Sequence, residues 1–259
     1  MKKALIAIAA VVMTVSASYA QVLVAGWDFQ TTTTGGTAIA AAPATPKIYT
    51  ANFGAGTLYF DGSNGSSNWF VPASGVTNTE LNAFGGSNVN TLASDGTLLS
   101  SVTTGTVALA VVGGAGGTAA NGKSAVFAFS MAGKADLSIS LSAQRSGTGF
   151  STQLWEYSAD GGSTWGNVGS FIGGTTAGTI QSSFVNTGVL SFAAFSALNG
   201  VSDARLRVTF TGASNSSGNN RLDNIQLNAV AVPEPSSGAL LVLGGVSLVA
   251  IRSLRKKNS

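Results

Sequence analysis

The sequence predicts an all-β protein, an antiparallel β-sandwich or jelly roll, with a signal peptide in front of it and a transmembrane helix behind it. Three observations carry this reading. Apolar and polar residues alternate with a period of two in segment after segment, and Gly, Asn, Ser and Asp punctuate the gaps. No stretch between the two ends combines helical periodicity with caps. About 210 residues remain once the ends are set aside, enough to bury one large core, and a chain with 44% hydrophobic and 9% charged residues is not composed like a disordered one.

The elements follow in order. Residues 1–20, "MKKALIAIAAVVMTVSASYA", have the three parts of a secretory signal: Lys2 and Lys3, an apolar stretch from Ala4 to Val15, and small residues at Ser18 and Ala20. Signal peptidase is expected to cut between Ala20 and Gln21. Residues 21–231 form the exported domain. Its strands are read at 22–29, 57–60, 106–112, 124–130, 136–142, 150–158, 165–172, 204–212 and 222–230. Residues 31–47, "TTTTGGTAIAAAPATPK", are low in complexity and read as a long connection. No internal repeat is visible, which argues against a solenoid or propeller. The stretch from Ala204 to Ala229, strand then polar loop then strand, looks like the closing hairpin of carbohydrate-binding jelly rolls.

Composition removes several function classes. The chain contains no Cys and no His, so disulfides, thiolate metal sites, Cys nucleophiles and a Ser-His-Asp triad cannot be built. The net charge of +3 is unevenly spread: between Gln21 and Val232 stand seven Lys or Arg against nine Asp or Glu. The excess positive charge belongs to the ends, and no basic stripe for nucleic acid runs through the middle.

Residues 232–259, "VPEPSSGALLVLGGVSLVAIRSLRKKNS", form the tail. From Ser236 to Leu254 a helix would reach about 28 Å, close to the roughly 30 Å hydrocarbon core if Arg252 snorkels. Arg252, Arg255, Lys256 and Lys257 then lie on one side, which the positive-inside rule makes cytoplasmic. Pro233 and Pro235 disfavour helix in the residues before them, so Pro233-Glu234-Pro235 is an extended strip a protease can grip. The order of parts, a Pro-Glu-Pro motif, an apolar helix and a short basic end on a chain with a signal peptide, resembles the PEP-CTERM sorting tail of Gram-negative bacteria. The resemblance covers these 28 residues. It implies recognition by an exosortase, a transient stay in the inner membrane, and delivery to the cell surface or an exopolysaccharide matrix as a biofilm-type component.

Inside the domain, "SADGGSTW" (158–165) matches the Asp-box pattern S-x-D-x-G-x-T-W of sialidases and other β-proteins. Its physical reading is a tight hairpin: Asp160 accepts hydrogen bonds from its own turn, Gly162 takes a positive φ, and Trp165 packs on the sheet. A single copy supports the turn and not sialidase activity. Trp155 and Tyr157 share one strand face and, with Trp165 or with Trp69, form either a platform for sugar rings or part of the core. Glu156 faces the other way, toward solvent. Among the carboxylates, Asp28 and Asp223 lie on the first and last strands. They are either solvated or turn-capping groups, or together they hold a structural calcium ion. No other cofactor is expected and no catalytic residue is assigned. The leading expectation is a non-catalytic surface or matrix protein. A glycan-binding jelly roll is the alternative, and a carboxylate-dependent polysaccharide hydrolase, which needs two suitably spaced carboxylates, is the third.

Overall fold

A computed structural model of the chain describes residues 21–29, 47–72, 78–85, 107–172, 180, 182–186 and 189–232. The segment expected to be a signal peptide, the 31–46 connection and the expected tail from Pro233 onward, with Ala20, Pro233, Glu234, Pro235, Arg252, Arg255, Lys256 and Lys257, lie outside them. Among the described residues, no helix is long and apolar enough to cross a membrane.

The chain runs through β1 (Gln21–Trp27), β2 (Ile48–Thr50), β3 (Phe53–Gly54), β4 (Gly56–Tyr59), β5 (Leu81–Gly85), β6 (Val107–Val112), β7 (Lys123–Phe129) and β8 (Lys134–Arg145). It continues through β9 (Thr152–Ser158), β10 (Gly166–Ile172), β11 (Val185–Asn186), β12 (Leu190–Ser191), β13 (Ala204–Thr211) and β14 (Asn219–Ala231). Two single 3-10 turns, Ala115–Gly117 and Ser196–Leu198, are the only helical elements among the described residues. All nine expected strands are present, with ends shifted by no more than three residues. The five unforeseen strands are two to five residues long, and four of them, at two or three residues, are too short to show alternation.

The strands form two antiparallel sheets. One has the order β11-β8-β14-β1-β3, with β12 also on β8, β6 also on β14 and β5 on β6. The other has the order β10-β9-β13-β7-β4-β2. β13 and β14 therefore do not make the closing hairpin expected from the sequence. β13 pairs with β7 and β9 in one sheet, while β14 pairs with β1, β6 and β8 in the other, so the loop between them crosses the sandwich. Alternation in two neighbouring segments is the same whether they pair with each other or face each other across a core, which is why the sequence did not separate the two arrangements.

β13 shows why these segments take this form. Ala204, Leu206, Val208 and Phe210 point into the core, and Arg205, Arg207, Thr209 and Thr211 point out, a strict period of two. Between the sheets the core is aromatic. Trp27 of one sheet meets Phe127 of the other edge-on at 5.4 Å, and Phe127 stacks on Trp155 at 6.2 Å. Trp69, from the segment after β4, sits among Phe60, Phe150 and Phe210 at 5.7 to 6.1 Å. Rings of this size bury large apolar surfaces, which help offset the entropy of ordering a glycine-rich chain.

The first and last strands lie side by side, with Gln21 opposite Val230 and Trp27 opposite Ile225. Just past β14, the Val232 N–H donates to the Gly133 carbonyl at 2.9 Å. Along β8 and β14, the polar residues Ser138, Ser140 and Ser142 stand opposite Asn228, Gln226 and Asp223, and all six are buried. Alternation predicts which residues leave the core face; it does not predict that this second face is also closed to water.

Candidate functional site

The hairpin joining β9 to β10 is built as the Asp-box pattern requires. The Thr164 N–H and hydroxyl donate to the two Asp160 carboxylate oxygens at 2.9 and 2.6 Å, and the Ser158 hydroxyl adds a third bond at 2.7 Å. Those bonds, the one from the Thr164 hydroxyl first, hold the exposed Asp160 carboxyl at about 2, below its ordinary value. Gly162 has φ 84°, a left-handed conformation that lets its N–H reach the Ser158 hydroxyl at 2.8 Å. The Gly161 N–H donates to the Asp203 carbonyl at 3.2 Å, tying the hairpin to the turn before β13.

The outer surface of the hairpin carries a layered stack. The Arg207 guanidinium lies 4.1 Å from the centre of the Trp165 ring, and its Nε donates to Glu156 Oε2 at 2.7 Å. Glu156 does face away from the core, as alternation predicts, but it meets Arg207 and not open solvent; both side chains are about four-fifths covered. β9 and β13 are in register here, Glu156 directly opposite Arg207, which is what brings the two charges together. Neighbouring Arg205 is engaged in turn by Asp203 at 3.2 Å.

A cleft of about 330 Å³ opens at this end of the sandwich, lined by Tyr157, Asp160, Thr164, Trp165, Gly166 and Ala197. Gly166 shapes it. A Cβ there would stand 2.6 Å from Tyr157 Cε1, so the Tyr157 ring can lie across the strand only because that position has no side chain. The far side of Tyr157 packs on Phe195 at 4.9 Å.

The three aromatic residues singled out by the sequence therefore divide. Tyr157 and Trp165 are partly exposed and line one cleft. Trp155 is 3% exposed, packed on Phe127 and Phe192 in the core, and presents no face to a sugar. Trp69 is fully buried, with its Nε1 donating to the Ser124 carbonyl at 2.8 Å. Of the two alternatives, core packing holds for Trp155 and Trp69, and Tyr157 and Trp165 are left to line a two-ring cleft. Shared strand face is a local property, whereas depth in the sandwich depends on what the opposite sheet places above each ring. Ala197 and Arg207 were missed because only the fold brings them to the hairpin.

Asp28 and Asp223 are both fully buried at the meeting of β1 and β14. They are not solvated, which corrects that alternative. The Asp28 N–H donates to Asn52 Oδ1 at 3.0 Å, and Asp223 Oδ1 accepts from the Asn224 N–H at 2.8 Å. Among the described residues, no group of three or more acidic, His or Cys side chains gathers in a way that could hold a metal ion. Both described glutamates are ion-paired, Glu156 with Arg207 and Glu80 with Lys123.

No family model and no curated protein matches the chain. Among solved structures it is similar to the K3 cleaved adhesin domain of Lys-gingipain from Porphyromonas gingivalis, at 11% identity over 81% of this chain and 99% of that one, with a TM-score of 0.38. It is also similar to the CBM22-1-GH10 modules of a Clostridium thermocellum endo-1,4-β-D-xylanase complexed with xylohexaose, at 11% identity and a TM-score of 0.33. That likeness covers 49% of this chain, which spans only 22% of the xylanase chain. A third likeness is to TmCBM61 in complex with β-1,4-galactotriose, at 11% identity over 64% of this chain and 92% of that one, with a TM-score of 0.29. At these scores the likenesses assign neither fold family nor ligand to this chain.

Proposed function

We propose that this chain is an exported, non-catalytic protein of the cell surface or exopolysaccharide matrix. Signal peptidase frees Gln21, the tail holds the protein transiently in the inner membrane, and an exosortase cuts near Pro233-Glu234-Pro235. One observation supports this reading beyond the tail's own sequence: the fold fits between the two cuts. Among the described residues β1 begins at Gln21 and β14 closes at Ala231, so both cuts leave every described strand in place. The test is intact-mass analysis of surface-released protein from the natural chain and from a Pro233→Ala/Pro235→Ala variant. The natural chain is expected to have lost Leu240 to Ser259, and the variant to stay full-length in the membrane. A released form that keeps those residues refutes the proposal.

A second reading, a glycan-binding module, is favoured by the cleft at the hairpin. Its volume falls at the lower end of the roughly 300–1,000 Å³ of ligand sites. Two aromatic rings and hydroxyl and carboxylate groups converge on it, which suits the apolar faces and hydroxyl edges of a sugar. Glycan-array binding should be lost in Trp165→Ala and in Tyr157→Ala while the melting transition stays cooperative. Binding that survives both changes places the sugar elsewhere or nowhere.

A further inference from the structure

We propose that Gln21, once it becomes the first residue, closes to pyroglutamate, so that the mature protein has no free α-amino group. This rests on the export reading above and adds a covalent modification to it. Gln21 is the first residue of β1 and its side chain is exposed, so no packing holds the amide away from the chain end. The reaction needs only that residue. The α-nitrogen attacks its own Cδ, the N–Cδ bond closes a five-membered lactam, the Cδ–Nε2 bond breaks, and ammonia leaves with the proton the α-nitrogen gives up. Nothing is oxidised or reduced and no second reactant is consumed. An α-amine titrates at about 7.7–8.0, so a useful fraction is unprotonated and nucleophilic near neutral pH.

The fold tolerates the product. Closure uses the terminal nitrogen and a solvent-facing side chain, and the ladder from Val22 opposite Ala229 inward is untouched. The consequence is local and chemical. A positive charge is removed beside Val230, at the end of β14 that leads into the tail, and the exposed end of β1 no longer offers aminopeptidases a free amine. For a protein that resides outside the cell, that closes the N-terminal end created by export.

The experiment uses exported protein, aged at neutral pH, with intact mass and stepwise N-terminal sequencing before and after pyroglutamyl aminopeptidase. The expected mass is one ammonia below that of a chain beginning at Gln21. Sequencing should be blocked at first and should read from Val22 after the peptidase. A Gln21→Ala chain, altered at an exposed position, should sequence freely from position 21 without treatment. A natural chain that reads openly from Gln21, with no ammonia lost, overturns the cyclisation and leaves the export reading standing. A natural chain that begins at another residue overturns both.

Discussion

Trp69 is the side chain whose loss should cost the sandwich most outside the strands themselves. It is fully buried, touches Phe60, Phe150 and Phe210 edge-on, and donates from Nε1 to the Ser124 carbonyl at 2.8 Å. Truncating a buried Trp to Ala costs about 3–5 kcal/mol, and three aromatic contacts of about 0.5–1.5 kcal/mol each put Trp69→Ala toward the upper end. Trp69→Phe separates the contributions. It keeps a ring among its neighbours and gives up one hydrogen bond, about 1 kcal/mol, together with some volume. The Ser124 carbonyl still accepts from the Ser67 N–H at 3.2 Å, so it is not stranded, and the total should be about 2 kcal/mol. In a unit the size of Ala20–Val232, each kcal/mol moves the melting temperature by about 2–4 °C. The expected drops are about 8–20 °C for Ala and about 4–8 °C for Phe. Thermal unfolding of residues 21–232 followed by near-UV circular dichroism measures both. A drop below about 2 °C for Trp69→Ala, with the transition still cooperative, would refute the placement of this ring in the core.

Three further outcomes follow from the same geometry. Gly166→Ala places a Cβ 2.6 Å from Tyr157 Cε1, so it should cost about 1–3 kcal/mol by overpacking and change Tyr157 fluorescence or ring chemical shifts as the ring is pushed aside. Lys123→Met leaves Glu80, 4% exposed, without the cation 2.5 Å away and should cost about 3–5 kcal/mol in urea unfolding, most of it recovered by adding Glu80→Gln. Asp160 titrates at about 2 in the fold against 3.8 ordinarily, so its contribution is present above about pH 4 and lost as pH falls toward 2. Melting temperatures of the natural chain and Asp160→Asn should converge across that window; a constant gap down to pH 2 would contradict the hydrogen-bonded turn.

The sequence by itself determined nine of the strands and the β9–β10 hairpin. Period-two alternation is a local consequence of the pleat, so β13 was legible from "ARLRVTFT" with its inward and outward residues already sorted. The Asp-box turn was legible because every group that closes it lies within seven residues, from Ser158 to Thr164, and needs nothing from elsewhere. Tertiary structure alone decided how deep each face lies and which strands pair. Trp155 and Tyr157 have the same facing, yet Phe127 of the same sheet and Phe192 pack over the first, while the second stands at the rim of a cleft. Glu156 was expected in solvent, and the register of β9 against β13 places it on Arg207, under Trp165. Alternation turns the serines of β8 and the amides of β14 away from the core face, and the fold buries them there too. β13 and β14, neighbours in sequence, were separated into different sheets. The physical reason is common to all four: alternation fixes the direction of a side chain relative to its own strand, whereas pairing and burial depend on residues tens of positions away, chosen by the packing of the whole core.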